Sequence, residues 1–505
     1  MEIIQPLFRF TRLVPAFAVL HAVVWCSQAV AASTEERAPT THGVMAGAVT
    51  HDSVIIWSRT DRETTMHVWL RPSAGGAPSH AEIAVNADHD FTGKLRFHGL
   101  KPNSDYQYAV RFGGDATVPR HDPASGSFRT APPPSAPQAV RFASGGALGG
   151  QNVCRDSREG FPIFDVLTRT RWDFFVAIGD MIHADQPCEP RGAYGNEQIP
   201  GAVGAATTKP EYWAYWKYSR EDRALRDFLA VTPYFPMWDD HEVVDAFGPL
   251  HDTRDAKPYK AGQHLLPIGL DAFIDYNPIV PGGETPLRLY RNVRWGKHVE
   301  LFLLDTRQYR DSNMAEDSAE TPKTLLGREQ LTWLKKKLKE SDATWKFIVS
   351  SVPISTPTGR LADKYADGWA NGEQRTGFEQ ELLQLLAYMR EEKINNAIWL
   401  AADLHRAQSV RLRPYRNDTS LTLYEFTSGP MNAGLLASPV LDQTLKPERL
   451  FAFGVEDPAV VTTFAQAKHW MNVGVVEVAD SGTLTFQIIN AEGQTVWKRE
   501  PLKPR

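Results

Sequence analysis

VAIGDMIHADQPC, residues Val176 to Cys188, opens as a strand and ends as something else. Val176-Ala177-Ile178 continues the run Trp172-Asp173-Phe174-Phe175, the pattern of a strand buried on both faces. Gly179 breaks it, and Asp180, His183 and Asp185 follow at once. In α/β sheets ligands bind beyond the carboxyl ends of strands. A carboxylate-rich turn at the mouth of an apolar strand is therefore read as the wall of a binding crevice.

Three further strand ends also finish in polar residues: Ser144-Gly145-Gly146, Trp238-Asp239-Asp240-His241-Glu242 and Ala401-Ala402-Asp403-Leu404-His405. Carboxylates and imidazoles are ligands for divalent or trivalent metals, and two ions a few Å apart clamp a phosphoryl group. Burying several charges together costs several kcal/mol per ion unless they are paired or metallated. Asp180, Asp240 and Asp403 are thus expected to meet at one centre; solvated loop carboxylates are the alternative.

Around these motifs strands alternate with helices: strands at Ala139–Ala143, Tyr234–Trp238, Trp345–Ser350, Ala397–Ala401 and Thr422–Phe426, helices at Gly160–Arg171, Pro210–Val231, Gly327–Ser341 and Gly377–Glu392. A hairpin over Leu287–Asp305 and a closing β-pair, Val473–Val478 with Thr483–Asn490, complete an α/β layered domain with a mixed sheet over residues 138–490. Residues 42–130 differ, with short strands separated by turns, the pattern of an antiparallel sandwich. Within them Leu100 to Tyr108 resembles the tyrosine-corner strand of fibronectin type III-like domains. Residues 131–137, Ala-Pro-Pro-Pro-Ser-Ala-Pro, form a stiff linker between the two.

The chain of 505 residues has a formal net charge of −5 and 42% hydrophobic residues, ordinary for a globular protein and wrong for a nucleic-acid binder that works by charge. Arg9 and Arg12, the apolar stretch Leu13–Trp25 and the small-residue site Ala29-Val30-Ala31 read as a signal peptide over residues 1–31. A membrane anchor is the competing reading, and His21 and Gln28 interrupt it. No later segment is long and apolar enough to span a membrane, so the expected location is periplasmic or secreted. Cys154 and Cys188 remain after cleavage, and an oxidising compartment makes either a disulfide or two inert thiols admissible.

Taken in order, Gly179-Asp180, Trp238 to Glu242, Leu304-Asp305-Thr306-Arg307-Gln308-Tyr309-Arg310, Trp345 to Val349 and Asp403-Leu404-His405 resemble the PhoD-like alkaline phosphatases of the calcineurin-like metallophosphatase superfamily. The resemblance covers about residues 42–490. It implies a four-layer αββα sandwich preceded by a small all-β sandwich, and a phosphomonoesterase or phosphodiesterase with a multi-metal site, in which a hydroxide made from metal-activated water attacks phosphorus. It makes Asp180 the bridging ligand, places Asp240 on a second metal, and supplies Asp403 and His405 from the last loop. His183 stands where the family's iron–calcium enzymes have a tyrosine, and Gly145 where they have a cysteine. The expected cofactors are therefore two divalent or trivalent ions among Ca, Fe, Zn and Mn.

His241 is the candidate acid for the leaving group. Arg307 is the candidate clamp on a phosphate oxygen, or a brace on Asp239 or Asp240. Asp239 is expected to orient its loop, and Asn152 to be a loop amide or a substitute ligand. Trp213, Tyr215, Trp216 and Trp369 are read as helix packing or as the wall of a leaving-group site. The irregular stretches Gln186–Thr208 and Ala433 to His469 are expected to roof the pocket. The substrate is a small-molecule or lipid phosphoester. The competing function is a degenerate, non-catalytic phosphatase fold acting as an extracytoplasmic binding module. Oligomeric state is not legible.

Overall fold

The computed structural model describes residues 37–114, 124–201, 204–249, 262–279, 288–359, 364–415 and 421–505. The expected signal peptide, with Cys26, lies outside the described residues. No helix among the described residues is long and apolar enough to cross a membrane.

One large sheet runs, in spatial order, β20 (Thr495–Lys498), β19 (Leu484–Asn490), β18 (Asn472–Val478), β8 (Val140–Gly145), β9 (Phe174–Ile178), β10 (Tyr234–Met237), β1 (Val44–Gly47), β2 (Val54–Arg59) and β5 (Thr92–Phe97). A second runs β11 (Arg291–Trp295), β12 (Val299–Leu303), β13 (Trp345–Val349), β14 (Ala397–Ala401), β16 (Leu423–Thr427), β15 (Ala407–Leu412) and β17 (Pro447–Phe453). A third holds β4 (Ser79–Val85), β3 (Thr64–Pro72), β6 (Asp105–Phe112) and β7 (Ala124–Arg129).

The apolar residues of β9 are sorted by the period-2 alternation of a strand. Phe174, Val176 and Ile178 face the second sheet, in one core with Leu301, Phe347 and Leu400. Phe175 and Ala177 face outward, in a core with Phe164 of α1 (Pro162–Leu167), Leu225 and Phe228 of α3 (Arg223–Val231), Trp216 of α2 (Lys209–Arg220) and Phe273 of α4 (Gly262–Tyr276). On the far side Phe302, Ile348 and Trp399 pack against Leu334 and Leu338 of α5 (Gly327–Glu340) and Leu382 of α6 (Glu379–Glu391). Helices, sheet, sheet, helices: this is the expected four-layer αββα build. Each fully buried Phe, Leu or Ile in it contributes about 1.5–3 kcal/mol.

β8, β9 and β10 are parallel, as are β12, β13, β14 and β16, so their carboxyl ends open on common rims. Trp238 Nε1 donates to Asp305 Oδ1 at 3.0 Å, tying the rim of one sheet to that of the other.

Three expectations need correction. The helix expected over Pro210–Val231 is two: Asp222 adopts an extended backbone (φ −63°, ψ 126°), and its side chain caps α3 by accepting from Leu225 N at 2.9 Å. The stretch Ala433 to His469 is not all irregular, since it contains β17 and most of α7 (Phe464–Trp470). The N-terminal strands do not all form a sandwich of their own, since β1, β2 and β5 join the large sheet. β1 pairs in parallel with β10 at Gly47↔Tyr234, so the catalytic sheet runs on into the N-terminal one. Polar contacts hold the same junction: Trp57 Nε1 donates to Asp275 O at 2.7 Å, Tyr108 donates to Ala230 O at 2.9 Å, and Lys217 pairs with Asp90 at 3.3 Å. The linker itself is docked, with Lys297 N donating to Ala136 O at 2.9 Å.

Candidate metal centre

After β9 the chain turns back through two successive left-handed residues, Gly179 (φ 79°) and Asp180 (φ 54°). A Cβ on Gly179 would lie 2.5 Å from Asp239 Cβ, so only glycine lets the two loops touch. Asp403 (φ 67°) and His405 (φ 51°) are left-handed as well. Such conformations cost of the order of 1–3 kcal/mol each and gather where a side chain must be aimed. Glu242 holds the turn: its fully buried carboxylate accepts the backbone N–H of Asp180 (3.0 Å), Met181 (2.7 Å) and Asp239 (2.8 Å).

The loops converge. Ligand atoms of Asp180, Asp239 and Asp240 all lie within 4.8 Å of one another, as do those of Asp240, His241 and Asp245. The His183 ring stacks on His241 with centroids 4.2 Å apart and meets His405 edge-on at 6.5 Å. Asp403 lies outside the close carboxylate group; the third member there is Asp239, which the sequence analysis assigned only to loop orientation. Asp403 still feels Asp239 and Asp240, since burial first and those two charges next push its carboxyl well above the usual range.

Burial, then Asp240, pushes Asp180 up in the same way. Burial would also raise Asp240, but Arg307 and His241 outweigh it and hold that carboxyl low. Burial and the neighbouring imidazole of His241 keep His183 well below its ordinary value, and burial sets His405 at about 4. Neutral imidazoles beside crowded carboxylates are a donor set suited to metal ions. Three buried donor atoms in this crevice have no hydrogen-bond partner among the described residues: His183 Nε2, Asp239 Oδ2 and Asp403 Oδ2. An orphaned buried polar atom costs about 1–3 kcal/mol, and ligation of metal ions would satisfy all three. The residues present therefore fit the metal group expected of them.

Arg307 does not reach toward an open cleft. Its fully buried guanidinium donates to Asp239 Oδ1 at 2.6 Å and to both oxygens of Asp367 at 2.9 and 2.6 Å, with Asp240 Oδ1 3.7 Å away. It braces the carboxylate loop, and a direct clamp on substrate is corrected to that. Asn152 is also spent: its Oδ1 accepts from Glu189 N and Gln198 Nε2, and its Nδ2 donates to Arg191 O. Trp213, Tyr215, Trp216 and Trp369 are buried in the helix–sheet cores rather than lining a site. Cys154 and Cys188 form a disulfide that joins the loop after β8 to the loop after β9.

Sequence reasoning gave no role to Asp185 or Glu242, though both stand in the quoted motifs, and did not single out Asp367. Asp185 Oδ1 faces His241 Nδ1 at 2.8 Å, and its Oδ2 accepts from Asp245 N at 2.9 Å. Burial would lower His241, but Asp185 and Asp240 outweigh it and hold the imidazole well above its ordinary value. The spacing Asp180, His183, Asp185 was visible from the start; the partnership across the fold was not.

Two facing sheets with carboxylates and imidazoles gathered beyond their parallel strands form the kind of crevice that a metal-dependent hydrolase uses. Family models sharpen this: the PhoD-like phosphatase model matches residues 145–485, and the PhoD-like phosphatase N-terminal domain matches residues 26–132. The chain belongs to the PhoD-like phosphatase family and is a phosphoric ester hydrolase. Alkaline phosphatase D of Bacillus subtilis (strain 168) is 24% identical over 447 residues, covering 78% of this chain and 70% of that protein. A solved structure of PhoD superposes with a TM-score of 0.70 at 18% identity, covering 92% of this chain and 93% of that one.

Proposed function

We propose that the chain is an exported phosphoester hydrolase, acting on phosphomonoesters, phosphodiesters or both. In this reading Asp180, His183, Asp240, Asp403 and His405 hold its metal ions, and Asp239 Oδ2 is available as a further ligand. Bound there, such ions supply Lewis acidity, which polarises phosphoryl oxygens and makes water acidic enough to serve as a nucleophile near neutral pH. Carboxylates and imidazoles without a thiolate suit Zn, Mn, Fe(II) or, with mostly oxygen ligands, Ca.

The protein's own groups do the rest. Asp185 fixes the His241 ring through Nδ1, leaving the Nε2 proton for the departing oxygen. Glu242 and Arg307 keep the carboxylate loops in register, so that ligands from three strand ends stay aimed at one point. The N-terminal strands, read as a fibronectin type III-like sandwich, buttress the sheet that carries two of those ends. Export rests on the leader-like residues 1–31. A degenerate scaffold is set aside, because it gives no reason to retain three left-handed ligand residues and three orphaned donors in one crevice.

That convergence of unsatisfied donors carries the reading. The test is elemental analysis of the purified chain together with hydrolysis of p-nitrophenyl phosphate and its bis ester. Asp180→Asn is expected to lose bound metal and hydrolysis of both while remaining folded. Full activity in that variant, or a wild-type chain that binds no metal, would end the proposal.

A further inference from the structure

A second cluster of metal-type ligands lies outside this centre, on the third sheet. His67 of β3 and His80 and Glu82 of β4 bring one donor atom each to within 4.8 Å of one another. His67 Nδ1 is 3.3 Å from His80 Nε2 and 3.1 Å from Glu82 Oε2. The strand register sets this up, since β3 and β4 are antiparallel with His67 opposite Glu82 and Trp69 opposite His80. Trp69 stacks on both imidazoles, at 5.8 Å from His67 and 5.0 Å from His80, which limits their rotation. His67 is buried at the floor of the cluster, and His80 and Glu82 are exposed at its mouth.

The spacing is informative. A tetrahedral ion with metal–nitrogen bonds of about 2.0–2.1 Å holds neighbouring ligand atoms roughly 3.3 Å apart, matching the two separations at His67. A neutral imidazole has one ring proton, and His67 Nδ1 faces both an imidazole nitrogen and a carboxylate oxygen. A single proton there serves both at once only by being shared, whereas a cation uses all three lone pairs. Two imidazoles and one carboxylate suit Zn, Ni or Cu and disfavour Ca and Mg, which take oxygen ligands.

We propose that the β3–β4 hairpin carries an independent site for a late first-row divalent cation, with zinc as the reference ion. The ligands are His67, His80 and Glu82, with a fourth position left to water. β4 is the edge strand of its sheet and is mostly exposed. Two of the three ligands are on that strand and the third is on its neighbour, so the ion pins the edge in place.

The test loads the full-length protein with its catalytic metals and then titrates it with zinc, by calorimetry and by elemental analysis after dialysis. Wild type is compared with His80→Ala and Glu82→Gln, both at exposed positions. Wild type should bind one zinc equivalent that His80→Ala does not, with Glu82→Gln weakened. Losing a direct ligand should cost at least what losing an outer-sphere partner costs, about 10–100-fold in affinity. Hydrolysis of p-nitrophenyl phosphate should be the same in all three. Zinc stoichiometry and affinity unchanged in His80→Ala, or weakened by less than about tenfold, would overturn the site.

Discussion

Arg307 and Asp367 meet end to end, two guanidinium nitrogens on two carboxylate oxygens at 2.9 and 2.6 Å, with both side chains buried. The same carboxylate also accepts from Arg310 and Asn313. Asp367→Ala would leave two buried guanidinium groups short of their counter-charge. Removing one partner of a buried pair typically costs about 3–5 kcal/mol, so urea unfolding should show a loss of that size. Activity should fall with it, because Arg307 also positions Asp239. A midpoint close to wild type would show that Asp367 is not a brace.

Gly150 lies under the His183 ring, and an added Cβ would sit 2.2 Å from Nε2. Gly150→Ala should push the imidazole away from the other ligands while leaving the sheets intact. A misplacement of about 1 Å can cost 10²-fold in rate, so kcat/KM should drop by roughly that factor with little change in Tm. Full activity would argue that His183 is a bystander.

The Cys154–Cys188 bond closes a separation of 34 residues. Chain-entropy reasoning gives such a loop about 3–4 kcal/mol of stabilisation. The double Cys→Ser variant should lose stability of that order and bind metal more weakly, since it frees two ligand loops from one another. Thiol titration of the denatured, unreduced protein should find neither residue reactive.

Lys94 reaches from β5 across the domain junction and donates to Ile279 O at 3.2 Å. Burial pulls its ammonium down from 10.5 to about 8, with Asp275 acting in the other direction. Between those pH values the unfolded chain keeps a proton that the folded chain has released, so stability from this group rises with pH. The slope is at most about 1.4 kcal/mol per pH unit; below about 8 the burial penalty is fully present. Lys94→Met should flatten the rise, as read from unfolding midpoints at pH 8 and pH 10. An unchanged slope would remove Lys94 from the account.

The layered fold was legible because central strands of the double sheet are uninterrupted apolar runs, as at Phe174–Ile178 and Ala397–Ala401. The rim residues were legible for the same reason, since charge begins where those runs stop. What stayed hidden depends on pairing at a distance. Asp367 follows no strand and lies 60 residues from Arg307, so no local pattern marks it. Glu242 was in plain view, but that it accepts three N–H groups, two of them from the β9 loop, depends on a contact across 62 residues. The break between α2 and α3 rests on a single extended aspartate, which a run of helix-forming residues conceals. Asp239 was separated from the ligands because its neighbour Asp240 answered the same motif.

The β1–β10 contact makes the first hundred or so residues more than an appendage. Cutting the chain in the proline-rich segment would remove the strand paired with β10 at Gly47↔Tyr234 and turn β10 from an interior strand into an edge, a template for other chains. The catalytic region produced alone should therefore self-associate, as read by size-exclusion chromatography, and a monomeric fragment would show that the N-terminal strands are no guard against aggregation.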